Sequence, residues 1–137
     1  MLNVSLKVKY GLSALLYMSQ YGGNEPIQTK TIANNCEIPQ QFLEQVLVIL
    51  KKAELVKSFR GSNGGYVINK PLEDIMVYDI IRILEGEKCF TDGYCGCNAL
   101  KAFWMNVSED LKALFKVSLK VLLENKQKME KMLDYHI

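Results

Sequence analysis

Three of the four cysteines, Cys89, Cys95 and Cys97, fall within nine residues of one another. Thiolate sulfur is a soft donor that suits an iron–sulfur cluster or zinc, and paired thiols also cycle between dithiol and disulfide. Five residues separate Cys89 from Cys95, while only Gly96 separates Cys95 from Cys97. A Cys95–Cys97 disulfide would close a strained small ring, so a redox pair would use Cys89 with one of them. Gly93 and Gly96 mark the segment as a loop. Iron–sulfur, zinc and thiol-switch chemistry all remain open from these residues. The fourth cysteine, Cys36, reads as a small buried filler before it reads as a reactive thiol.

A second group of side chains suits nucleic acid. Pro39 fits the first position of a helix in which Leu43, Val46, Leu47 and Leu50 form a buried stripe. The other side of that helix carries Gln40, Gln41, Glu44, Gln45, Lys51 and Lys52. Glutamine can bond adenine twice, a carboxylate can accept from the cytosine amino group, and lysine neutralises phosphate. Taken alone, Glu44 is either a specificity residue or a solvated helix residue. Arg60, Ser62 and Asn63 stand at a glycine-rich hairpin turn, where an arginine can enter a narrow minor groove.

Enzyme chemistry has little to work with. Gly61–Gly65 lacks the lysine and following helix of a phosphate-binding P-loop. The single histidine, His136, lies in the tail, which leaves no hydrolytic triad. Cys95-Gly96-Cys97 lacks the strand–helix setting of a thioredoxin-like dithiol. The expectation is a protein that is not an enzyme.

The elements that must position these groups follow from periodicity. Ser5 can cap a helix to about Tyr21, with Val8, Leu12, Leu15, Leu16 and Ser19 on one face. Gly22 to Pro26 ends it, and Thr29 can cap a short second helix, Lys30–Asn35. The third helix begins at Pro39. Leu55–Phe59 and Tyr66–Asn69 read as strands joined by the Gly61–Gly65 turn. Three helices and a hairpin in about 70 residues give the winged helix-turn-helix order. A fourth helix, Val77–Leu84, stops at Gly86. After the cysteine loop, one long helix is expected from Ala99 to Asn125. Leu100, Trp104, Val107, Leu111, Leu114, Ser118 and Val121 recur at alternating intervals of four and three, the seam of a coiled-coil-like pairing. Phe103, Phe115, Leu119 and Leu122 widen it. Such a helix would run about 38 Å and pack against its twin in a homodimer. The fold class is mainly α, a winged helix-turn-helix with a long C-terminal dimerisation helix. Its expected parts are residues 1–86 for DNA binding, 87–98 as the cysteine loop, and 99–137 for dimerisation and tail.

Composition agrees. The 137 residues, 49% hydrophobic and 23% charged, suit one domain with a real core. No apolar run approaches the ~20 residues of a membrane span, and the start lacks a signal-peptide pattern. A cytoplasmic protein without a membrane partner is expected, where structural disulfides are rare. The net charge of +2 divides into +4 over residues 1–70 and −2 over residues 71–137. That asymmetry is in the direction of a DNA-binding half, though it is weak.

One stretch is more specific than any of these. Phe42-Leu43-Glu44-Gln45-Val46-Leu47 precedes Leu50-Lys51-Lys52-Ala53, Leu55-Val56, Ser58 and Arg60-Gly61-Ser62-Asn63-Gly64-Gly65-Tyr66. It closely resembles the type-two Rrf family of bacterial winged-helix transcription regulators, the IscR, NsrR and CymR type. The resemblance covers about residues 1 to 124, from Lys7, Tyr10 and Leu15 through Ile81, Glu85-Gly86 and the cysteine loop to Trp104. It implies a homodimeric regulator, a repressor in this reading, on a palindromic double-stranded DNA operator. It also implies that Gln40, Gln41 and Glu44 contact bases while Arg60 enters the minor groove. Glu54 departs from the family, which often has glycine there.

Members of the family hold a two-iron or four-iron cluster with three cysteines of this loop, so Cys89, Cys95 and Cys97 are the implied ligands. The second interval departs from the pattern, which places about five residues between the second and third cysteines. Asn98 lies nearest the expected third position, Lys101 stands where some members have a histidine ligand, and Val8 and Lys9 stand where others supply a carboxylate. The alternative is a metal-free regulator controlled by thiol oxidation or, as in CymR-type members, by a partner enzyme of cysteine biosynthesis.

Overall fold

The computed structural model describes residues 3–87 and 90–135. Helix α1, Leu6–Tyr21, starts at Ser5, whose hydroxyl accepts from the Val8 N–H, as a helix-capping serine does. Helix α2 is Thr29–Cys36 and α3 is Gln40–Lys52. Between them Glu37 adopts a left-handed conformation, φ 57°, and the Ile38 N–H returns to the Ala33 carbonyl. Ile38 is thereby buried and Pro39 becomes the N-cap of α3.

Strands β1, Val56–Phe59, and β2, Gly65–Ile68, pair antiparallel with Val56 opposite Ile68 and Phe59 opposite Gly65. A one-residue bridge adds Ile27 to the outer side of this hairpin, exchanging two backbone hydrogen bonds with Tyr66. The wing is therefore tied to the α1–α2 connection as well as to α3. A 3₁₀ turn, Leu72–Asp74, leads to α4, Val77–Glu85, which ends at Gly86.

The expected helix from Ala99 to Asn125 is two helices, α5 (Asn98–Leu114) and α6 (Leu119–Tyr135). Residues 115–118 run across the start of α4 instead. The Tyr78 and Val77 N–H groups donate to the Phe115 and Val117 carbonyls, and the Leu119 N–H donates to the Ile75 carbonyl. Ser118 then restarts the helix, its hydroxyl accepting from the Val121 N–H at 3.2 Å. Leu119 is buried in the core, so the seam read from the sequence is divided between two helices. Thr29 also proves to be the first residue of α2, the N-cap being Gln28.

One core holds the first four helices together. Val8, Leu15 and Met18 of α1 meet Ile32 of α2, Leu43, Val46, Leu47 and Leu50 of α3, and Ile80 of α4. Burying a side chain of this size is worth ~1.5–3 kcal/mol, which is what fixes the angle at which α3 is presented. Helix α6 returns to α1, where Lys126 and Glu130 pair with each other and both bond Gln20. No described helix is long and apolar enough to cross a membrane.

Candidate nucleic-acid interface and cysteine loop

Helix α3 divides as its sequence predicts. Leu43, Val46, Leu47 and Leu50 are all buried, and Gln40, Gln41, Glu44, Gln45, Lys51 and Lys52 are all exposed. The Gln40 amide donates to the Glu44 carboxylate at 3.3 Å, one helical turn away, which orders both on the outer face. Lys51 and Lys52 occupy the last turn, where the helix dipole favours cations. Exposed Phe42 and Val48 share the outward surface of this helix. They fall outside the i, i+3, i+4, i+7 stripe, which was the signal available in the sequence. An apolar side chain there can meet a thymine methyl group.

The wing turn carries Arg60, Ser62 and Asn63, all exposed, and closes through a hydrogen bond from the Gly64 N–H to the Gly61 carbonyl. A β-carbon at Gly64 would stand 2.3 Å from the Phe59 carbonyl oxygen, so the turn admits only glycine there. On β1 the Lys57 ammonium lies 5.8 Å from the centre of the Phe59 ring, adding a cation and an exposed aromatic beside Arg60. The structure thus gathers the expected DNA-reading residues into two exposed surfaces, the outer face of α3 and the wing tip.

The cysteine loop joins α4 to α5, and Cys89 lies outside the described residues, as does His136. Phe90 anchors the loop: its N–H donates to the buried Ser108 hydroxyl at 3.1 Å, and its ring stacks on Trp104 at 6.1 Å. Cys95 is half-buried and its thiol donates to the Thr91 carbonyl at 3.1 Å. Cys97 is exposed at the N-cap of α5, where the backbone N–H groups of Leu100 and Ala99 hold its thiol below the ordinary pKa. Phe90, Tyr94, Leu100 and Trp104 wall a recess of about 360 Å³ beside Cys95. Among the described residues no three metal-ligating side chains come together. The Cys95 thiol lines this apolar recess and Cys97 follows two residues on, and thiol sulfur is the soft donor that an iron–sulfur cluster takes. Cys36 behaves differently: burial raises its thiol pKa, and the thiol donates to the Ser13 carbonyl at 3.6 Å.

A family model, Rrf2, described as iron-dependent transcriptional regulator, matches residues 4–125. The chain belongs to the Rrf2 family. It is 39% identical to the transcriptional regulator CymR of Bacillus subtilis over 85 residues, 62% of this chain and 62% of that protein's length. The chain thus matches less than two thirds of that relative. It is 31% identical to the regulator NsrR of Oceanobacillus iheyensis over 135 residues, 94% of this chain and 92% of that one. Among solved structures it is similar to T. potens IscR, with a TM-score of 0.79 and 33% identity, covering 93% of this chain and 90% of that one. The structure of B. subtilis CymR gives a TM-score of 0.80 at 31% identity, covering 91% and 98%. These relatives are named as transcriptional regulators and not as enzymes. The family match extends over the wing, the cysteine loop, α5 and the start of α6.

Proposed function

We propose that this Rrf2-family chain is a repressor that binds a palindromic double-stranded operator as a homodimer, under the control of an iron–sulfur cluster held by Cys89, Cys95 and Cys97. The observation that carries the DNA-binding part is the exposed polar face of α3 together with the exposed Arg60–Asn63 wing tip. Glu44 and the glutamines read base edges, Lys51 and Lys52 neutralise phosphates, and Arg60 reads minor-groove shape. The exposed Leu100, Phe103 and Leu114 of α5 offer an apolar face for the second copy. A two-fold dimer must then hold its two α3 helices about 34 Å apart, one turn of DNA.

The sensing part rests on where the loop leads. Cys97 is the N-cap of α5, so whatever holds that sulfur also holds the start of the helix assigned to dimerisation. Phe90, Ser108 and Trp104 fasten the same loop to the middle of α5. A bound cluster supplies a redox-sensitive centre whose charge and sulfur bonds favour one loop shape. A shift of the loop would rotate α5 and change the spacing of the recognition helices.

The visible spectrum, with iron and sulfide content, of protein purified without oxygen tests this reading. A brown protein with matched iron and sulfide supports it, and its loss in Cys95→Ser and Cys97→Ser locates the ligands. The exposure of Cys97 favours a second reading, a metal-free regulator controlled through its thiols or by a partner protein. A colourless protein that resists anaerobic reconstitution yet binds its operator would replace the first reading with the second.

A further inference from the structure

Gln28 occupies the N-cap of α2 but makes no side-chain capping hydrogen bond. Serine, threonine, aspartate and asparagine are the residues that cap best, and their side chains reach back to the helix N–H groups. The longer Gln28 amide turns the other way and donates to the Ser62 carbonyl at 3.2 Å, across 34 positions of sequence. Ser62 is the middle of the wing tip, two residues past Arg60 and next to Asn63.

Among the described residues, the other ties of the wing lie on β2 and at Asn69. The Ile27–Tyr66 bridge holds β2, and the Asn69 N–H and side-chain amide hold the far end of the hairpin to Leu55 and Glu54. Beyond β1 and β2 the tip has the internal Gly61–Gly64 bond, and Gln28 is the side chain outside the hairpin shown bonding its backbone. Between Gln28 and the tip lies an open groove lined by Glu25, Thr31, Ser62 and Asn63. Gly65 thus packs on the Ile27 and Gln28 backbone, and beyond it the turn at Ser62 is held by the Gln28 amide.

We infer that Gln28 is a positioning residue for DNA binding, setting the wing tip and Arg60 relative to the recognition helix through its bond to Ser62. This rests on the reading of Arg60 as a minor-groove contact. The bond is solvent-exposed, so its effect on folding is small. Its effect on binding comes from ordering the tip before DNA arrives, which spares that entropy at the moment of association.

The test uses the full-length protein and a duplex recovered from a randomised pool by selection with the wild type, at fixed salt. Gln28→Ser gives α2 a better capping residue while losing the reach to Ser62, so thermal stability holds or rises. Binding is expected to weaken about two- to tenfold, what one neutral hydrogen bond contributes. In an Arg60→Ala background the same change is expected to cost nothing further. Hydrogen exchange of the 60–66 segment should quicken in Gln28→Ser and in Gln28→Glu, which keeps the length but cannot donate. Unchanged exchange at the wing, or losses from Gln28→Ser and Arg60→Ala that simply add, would overturn the inference. If Arg60→Ala alone leaves binding intact, the minor-groove reading fails, and the exchange measurement still decides whether Gln28 holds the tip.

Discussion

Gly65 and Ile27 approach so closely that a β-carbon on Gly65 would stand 2.3 Å from the Ile27 carbonyl oxygen. The approach is what lets Ile27 bridge to Tyr66 and fasten the wing to the α1–α2 connection. Gly65 also has a φ of 143°, outside the range that side chains favour. Gly65→Ala should therefore force the two backbones apart, costing ~1–3 kcal/mol in urea unfolding and weakening DNA binding. Gly61→Ala is the control, because φ there is 106° but nothing lies within 4 Å of the added carbon. It should cost less, and a loss equal to that of Gly65→Ala would show that contact with Ile27 is not what matters.

Glu54 holds the turn from α3 into the wing at φ 64°. A left-handed conformation costs a residue with a β-carbon roughly 1–2 kcal/mol, part of which glycine recovers against its greater loss of entropy. The bond that fixes the turn, from the Asn69 amide to the Glu54 carbonyl, uses only backbone on the Glu54 side. Glu54→Gly should leave it intact and stabilise the protein by up to ~1 kcal/mol. A lower urea midpoint for the variant would mean that the glutamate side chain contributes something the backbone geometry does not show.

Where local chemistry alone decides, the sequence could be read. Ser5 caps α1, all four residues of the α3 stripe are buried, and the hairpin turn falls at the predicted glycines. Reading failed where a distant segment decided. The interval pattern of α5 runs unbroken through Ser118, yet Ile75 and Val77 offer backbone partners that only the folded chain brings near. Thr29 suits a cap, but capping was settled by where the chain leaves the Ile27 bridge. Cys97 was legible as a candidate ligand by its type, whereas its place at the head of α5 depends on where the loop ends.

Ser118 marks that break from within, since its hydroxyl caps α6 while its backbone bridges to Met76. If helix propensity alone were winning here, removing the cap would merge α5 and α6 and the protein would gain stability. Because three backbone hydrogen bonds between residues 75–78 and 115–119 sit at stake, Ser118→Ala should instead cost ~0.5–2 kcal/mol. Urea unfolding followed by circular dichroism distinguishes the two, a rise in both helicity and midpoint counting against the cap.

Leu114 is 69% exposed at the last turn of α5, with Phe103 and Leu100 about half exposed on the same helix. Scattered exposed leucines need no explanation, but three large apolar residues on one face of a helix do. In a two-fold interface each substitution acts twice, so its effect on association is doubled. Burying a leucine is worth ~1.5–3 kcal/mol, and in the proposed homodimer Leu114→Asp should therefore raise the dissociation constant about a hundredfold or more. Sedimentation velocity reads that directly, while circular dichroism shows that the protomer keeps its fold. Operator affinity should fall with it, because a lone protomer presents one recognition helix to a two-half site. A variant that stays dimeric would place the interface elsewhere, with exposed Met129, Met132 and Leu133 of α6 the next surface to change.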